Sequence, residues 1–102
     1  MKDTLITITG LSFRYGTEFL EKGMKVKLVK EPDNEHDAEA IRVEYPGLGK
    51  VGYVANSTKT VIGESLSAGR LYDRIGKKAK AKVLIVFDNA AVCKVSKKSL
   101  KK

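Results

Sequence analysis

Short runs in which apolar residues alternate with polar ones recur along the chain, and this period of two predicts a protein built mostly of strands. Residues 5–11 begin with Leu5, Ile6, Thr7, Ile8 and Thr9 and run out at Gly10, predicting a first strand rich in β-branched residues. Residues 24–29 alternate Met24, Val26 and Leu28 with Lys25 and Lys27, so the first three should face inward and the lysines outward. Residues 40–45 place Ile41, Val43 and Tyr45 on one face and Arg42 and Glu44 on the other. The turn-forming Pro46-Gly47-Leu48-Gly49 then returns the chain through residues 50–54, which makes a hairpin. Residues 79–87, with Ala81, Val83, Ile85 and Phe87 on one face, and residues 90–95 form a second hairpin around a tight Asp88-Asn89 turn.

Between the hairpins the period changes. Asn56 or Ser57 can cap a helix whose inward positions Val61, Ile62, Ser65 and Leu66 recur at helical spacing, with Gly69 as its stop. Gly63 weakens such a helix by up to about 1 kcal/mol relative to alanine, so it must depend on packing. Residues 71–75 suggest a second short helical turn, and residues 17–22 a helical turn or an irregular bridge closed by Gly23. Six strands with one or two short helices, and no alternating βαβ units, predict a small bent antiparallel sheet or a partly closed barrel.

With 102 residues the chain is about one domain, and 42% hydrophobic residues suffice for a core. No apolar run nears the roughly 18 residues of a membrane span, and the start Met1-Lys2-Asp3-Thr4 lacks the features of a secretory signal, so the reading is a cytoplasmic protein. Cys93 and His36 are the only cysteine and histidine, which excludes an internal disulfide and a zinc site built from those two residue types. No metal or cofactor is expected. The net charge is +8, with lysines clustered at positions 77, 78, 80 and 82 and again at 94, 97, 98, 101 and 102. The excess favours a polyanionic partner, although lysines also keep strand edges soluble and a basic tail can simply fray.

Against that background residues 31–37 stand out: Glu31, Pro32, Asp33, Asn34, Glu35, His36 and Asp37 form an acidic loop between two strands. Pro32 ends the preceding strand by removing a backbone donor. The carboxylate offsets from Asp33 to Glu44 imitate a calcium loop, but Ala38 stands where the sharp turn needs glycine and the flanks are strands where helices are required. A hydrolytic site from Asp33, His36 and Asp37 lacks groups converging from other elements, with Glu31 and Glu35 read as solvent-facing. Recognition suits the residues better: an aspartate, an amide and an imidazole offer hydrogen bonds and a flat surface to a nucleotide's sugar and base. Asn34 and Asp37 can equally serve the loop itself by bonding its backbone. Likewise Arg14 and Tyr15, in the turn-like Ser12-Phe13-Arg14-Tyr15-Gly16, can hold a phosphate and stack a base, or be ordinary core or rim residues.

The pattern Gly23-x-x-Val26-x-Leu28-x-x-Glu31-Pro32-x-Asn34-x-His36-Asp37-x-x-Ala40-Ile41-x-Val43, followed by Gly49-Lys50-Val51-Gly52-Tyr53-Val54, closely resembles the HIRAN domain. The resemblance covers about residues 5–95, and it places a HIRAN domain at 1–96 with a basic tail at 97–102. It implies an OB-like six-stranded antiparallel barrel that binds single-stranded DNA, in some members by gripping a free 3′ end. Carried over by position, it implies Tyr15 and His36 as a stacking pair, Asp37 at the terminal hydroxyl and Arg14 at phosphate. It further implies that Asn34 shapes the pocket or donates to the end nucleotide, and that Phe87 lies near a second base. Histidine at His36 stands where the DNA-binding members have tyrosine, and Tyr53 and Asn56 replace a histidine and a lysine that help to hold phosphate.

The resulting expectation is a non-enzymatic module for single-stranded DNA or DNA ends, linked to repair or stalled forks, with repair proteins as further partners. A protein-interaction or oligomerising module pairing through exposed strand edges is the alternative.

Overall fold

The computed structural model describes residues 3–10, 20–56, 62–63 and 65–101. Among them six strands, β1 (Leu5–Thr9), β2 (Lys25–Lys30), β3 (Ile41–Tyr45), β4 (Gly49–Val54), β5 (Lys78–Val86) and β6 (Ala91–Val95), close into a barrel in the order β1-β4-β3-β2-β5-β6. Every neighbouring pair is antiparallel. The fold is therefore the mainly β, six-stranded antiparallel barrel that the family resemblance implies, closed more fully than the bent sheet or partly closed barrel read from the alternation.

Alternate residues fill the interior. Ile6, Ile8, Leu28, Ile41, Val43, Val51, Val83 and Val95 are fully or almost fully buried in one cluster. Lys25 and Lys27 point out, as expected of a half-buried strand. Register slips opposite Val43/Glu44, where β4 carries the extra residue Val51, and between Val83 and Ile85 of β5 bend β4 and β5, which helps so few strands to close.

The second slip corrects the predicted face of β5. Beyond it the in-out order reverses: Ile85 is 52% exposed and Phe87 41% exposed, while Val86 packs against the core. An extra residue opposite β6 shifts every later side chain to the other face. The tight turn at Asp88-Asn89 is present, closed by a bond from the Phe87 N–H to the Ala90 carbonyl at 2.8 Å.

The predicted helix between the hairpins is also corrected where it can be seen. Residues 57–61 and 64 lie outside the described residues. Leu66 is extended: its N–H donates to the Leu5 carbonyl at 2.7 Å, and it bridges Ile6 in parallel. The helix α1 (Ala68–Tyr72) starts after Ser67, whose Oγ accepts the Arg70 N–H, so Gly69 sits in its first turn instead of stopping it. A segment at helical spacing can satisfy the same apolar residues by lying along a barrel wall, and here the free backbone groups of β1 take it up. Ala68 and Leu71 of α1, with Ile75 beyond it, join the barrel core.

The C-terminal residues are docked on the barrel. After β6 a 3-10 turn, Lys97–Ser99, packs beside β5, Leu100 bridges Ile75, and the Lys101 N–H donates to the Arg74 carbonyl at 2.7 Å. No helix among the described residues is long and apolar enough to cross a membrane.

Candidate functional site

The acidic loop joins β2 to β3 and is closed at its base by the Glu31 N–H donating to the Ala40 carbonyl at 2.8 Å. Asn34 shapes its tip. Its Oδ1 accepts both the His36 N–H at 2.9 Å and the Asp37 N–H at 3.0 Å, an Asx turn that fixes the two residues after it. Asp37 extends the same device, Oδ1 accepting the Glu39 N–H at 2.8 Å. The backbone-bonding reading of Asn34 and Asp37 thus describes what these side chains do within the loop.

The other Asp37 oxygen reaches out of the loop. Asn56, just beyond β4, donates its Nδ2 to Asp37 Oδ2 at 2.8 Å, and its Oδ1 accepts the Gly69 N–H at 2.7 Å. Asn56 does cap a helix, though not one beginning at itself: it satisfies a free first-turn donor of α1, beside the cap from Ser67. Gly69 permits the close approach, since a Cβ there would lie 2.8 Å from Glu39 Oε1 and 3.2 Å from Asn56 Oδ1.

Glu31 is not solvent-facing, as the sequence suggests, because its side chain is only 16% exposed. Its Oε1 accepts from Asn34 Nδ2 at 3.0 Å and from the Tyr53 hydroxyl at 2.9 Å, and Arg42 Nη1 lies 3.5 Å from Oε2. Lys50 Nζ donates to the Tyr53 hydroxyl at 2.9 Å, and Arg42 also pairs with Glu44. Partial burial pushes the Glu31 carboxyl up, but the bonds from Asn34 and Tyr53, the Lys50 charge and Arg42 together hold it below the usual carboxylate range. The Glu44 bond holds the Arg42 guanidinium above its ordinary value, against partial desolvation.

Together these contacts leave an open groove of about 310 Å³ lined by Asn34, His36, Asp37, Ala40, Tyr53 and Val54. Four of the residues singled out in the sequence, Asn34, His36, Asp37 and Tyr53, share it, and Asn56 is tied to it through Asp37. Arg14 and Tyr15 lie outside the described residues. Phe87 stands at the β5–β6 hairpin, apart from the groove lining. Sequence reading missed the supporting set of Glu31, Arg42 and Lys50. Its one visible signal is the strand alternation, which puts Arg42 on an outward face, where pairing sets it opposite Tyr53. The groove offers a polar rim, an exposed imidazole and a carboxylate held by two hydrogen bonds over an apolar floor. Among the described residues no cluster of three or more histidine, cysteine, aspartate or glutamate side chains could hold a metal ion.

The HIRAN domain family model matches residues 1–96. The crystal structure of the HIRAN domain of human HLTF superposes with a TM-score of 0.65 at 17% identity, covering 91% of this chain and 72% of that one. At that identity the likeness is one of fold. Comparison with curated proteins gives no match.

Proposed function

Because the chain belongs to the HIRAN domain family, we propose that it is a nucleic-acid-binding module which receives the 3′ end of single-stranded DNA in the groove of Asn34, His36, Asp37 and Tyr53. Family membership supports nucleic-acid binding, and a HIRAN domain is a binding domain rather than a catalytic one. The link to repair or stalled forks rests on the resemblance to the HIRAN domain alone, and the end-binding role on the groove. The observation that carries it is the state of Asp37. Each of its oxygens already accepts one bond, from Glu39 and from Asn56, and each keeps acceptor capacity. A carboxylate so held is oriented before any ligand arrives and repels a phosphate, so it suits a free sugar hydroxyl. His36 supplies an exposed ring beside it, and Tyr15 and Arg14 are the proposed stacking and phosphate partners.

The barrel's closure bears on the alternative. Each described strand has a neighbour on both sides, so the barrel presents no strand that is an edge along its whole length, which weighs against edge-to-edge pairing with a partner.

The test compares a 3′-hydroxyl oligonucleotide with its 3′-phosphate counterpart by fluorescence anisotropy. The hydroxyl form should bind more tightly, and Asp37→Ala should erase the difference. Equal binding of the two by the unaltered chain would refute end recognition.

A further inference from the structure

The wall of the barrel opposite the groove is a field of lysines. In a closed ring of six strands β4, which carries Tyr53, and β5 are three places apart, so their outer surfaces face away from each other. Over β2, β5 and β6 lies a hollow of about 430 Å³ bounded by Lys25, Lys80, Lys82, Lys94 and Lys97. Beside it a second, of about 340 Å³, is bounded by Lys27, Lys78, Lys80 and Lys98. No acidic residue lines either hollow.

Folding does not account for this arrangement. Strand register sets Lys25 opposite Lys82, Lys27 opposite Lys80 and Lys82 opposite Lys94, and like charges directly across a ladder destabilise it. Among the described residues the ion pairs are those of Arg42 with Glu31 and Glu44, so none of these lysines has a carboxylate partner there. The chain adds to the charge rather than diluting it. Ser99 Oγ accepts the Lys80 N–H at 3.0 Å and the Ser96 N–H donates to the Lys80 carbonyl at 2.8 Å, which docks the 3-10 turn and brings Lys97 and Lys98 to the same wall.

We propose that this wall is a second nucleic-acid surface, holding the phosphate backbone of duplex DNA without need of a strand end. The ligand follows from what the wall contains and omits. Its cations are all lysines, compact point charges that suit phosphate. The linings hold no aromatic residue on which an unpaired base could stack and no large apolar side chain to enter a lipid surface. Lys78, Lys80 and Lys82 follow one strand over roughly 13 Å, a length in which a duplex carries about eight phosphate charges. The wall shares with the groove only the class of its ligand, so the two readings fail separately.

A covalently closed duplex circle, which has no ends, is the probe, with retardation followed from about 50 to about 200 mM salt. The unaltered chain should bind it with an affinity that falls steeply with salt. Replacing Lys80, Lys82 and Lys97 together by glutamine should lower the slope of log affinity against log salt by about 2 to 3, at about 0.9 for each phosphate no longer neutralised. Asp37→Ala should bind the circle as the unaltered chain does. Lys97→Gln with Lys98→Gln, which alters no strand pair, should lower the slope by about 2 and keeps the test independent of the folding of strand variants. A circle left unbound at the lowest salt, or an unchanged slope in the 97/98 variant, overturns the proposal. So does lysine-dependent binding to phosphatidylserine vesicles without binding to the circle.

Discussion

Asn56 Nδ2 and Asp37 Oδ2 meet at 2.8 Å across nineteen positions of the chain, and the same Asn56 side chain holds the first turn of α1 through Gly69. One exposed amide thus connects the β2–β3 loop, the end of β4 and the helix. Asn56→Ala removes both bonds at once. We expect a loss of about 1 kcal/mol of stability, an ordinary figure for hydrogen bonds near water, and a several-fold weaker grip on a 3′-hydroxyl end because Asp37 loses its orientation. Thermal unfolding and anisotropy on the same preparation check the two effects; unchanged stability and unchanged binding would refute the connection.

Glu31 should make the protein sensitive to acid. Its folded pKa lies below the ordinary value because the bonds from Asn34, Tyr53 and Arg42 and the Lys50 charge outweigh its burial. A carboxylate shifted in that direction contributes stability above its unfolded pKa of about 4.3, and the contribution disappears as pH falls through the lower folded value. Melting temperature should therefore drop more steeply below about pH 5 in the unaltered chain than in Glu31→Gln. Parallel curves for the two proteins would show that the network carries no such linkage.

Cys93 is fully buried among core residues, and burial pushes its thiol up to about 12. Only thiolate reacts readily, so a thiol reagent such as dithionitrobenzoate should leave the native protein unmodified at neutral pH and react at once in denaturant. Cys93→Ser should cost about 1–3 kcal/mol, the penalty for burying a hydroxyl without an assured partner. Rapid native-state modification would contradict the burial.

The slip in β5 predicts opposite outcomes at two neighbouring apolar residues. Val83 is fully buried and Ile85 is 52% exposed. Val83→Ala should destabilise by about 2 kcal/mol through poorer packing, while Ile85→Thr should stay within about 0.5 kcal/mol of the parent. Denaturant unfolding of both variants measures this directly, and a large effect at Ile85 would mean that the strand keeps its order through the bulge.

The alternation of Lys25, Val26, Lys27 and Leu28, the β-branched run at Leu5, and the turn residues at Pro46 and Asp88 determined on their own that this chain makes six strands and two hairpins. A period of two is a local property, legible wherever one face meets a core and the other meets water. The loop with Asn34 and Asp37 was equally legible, because an Asx turn is made by residues a few positions apart. Tertiary structure alone decided what depends on partners distant in sequence. It turned Ile85 and Phe87 outward, since a bulge is defined only against β6, and laid Leu66 along β1 where its spacing suggested helix. It half-buried Glu31 against the Tyr53 hydroxyl, and it gathered lysines from β2, β5, β6 and the last turn onto one wall. In each case the energy lies in a contact closed by the barrel, and such contacts exist only after the ends of the chain have been brought together.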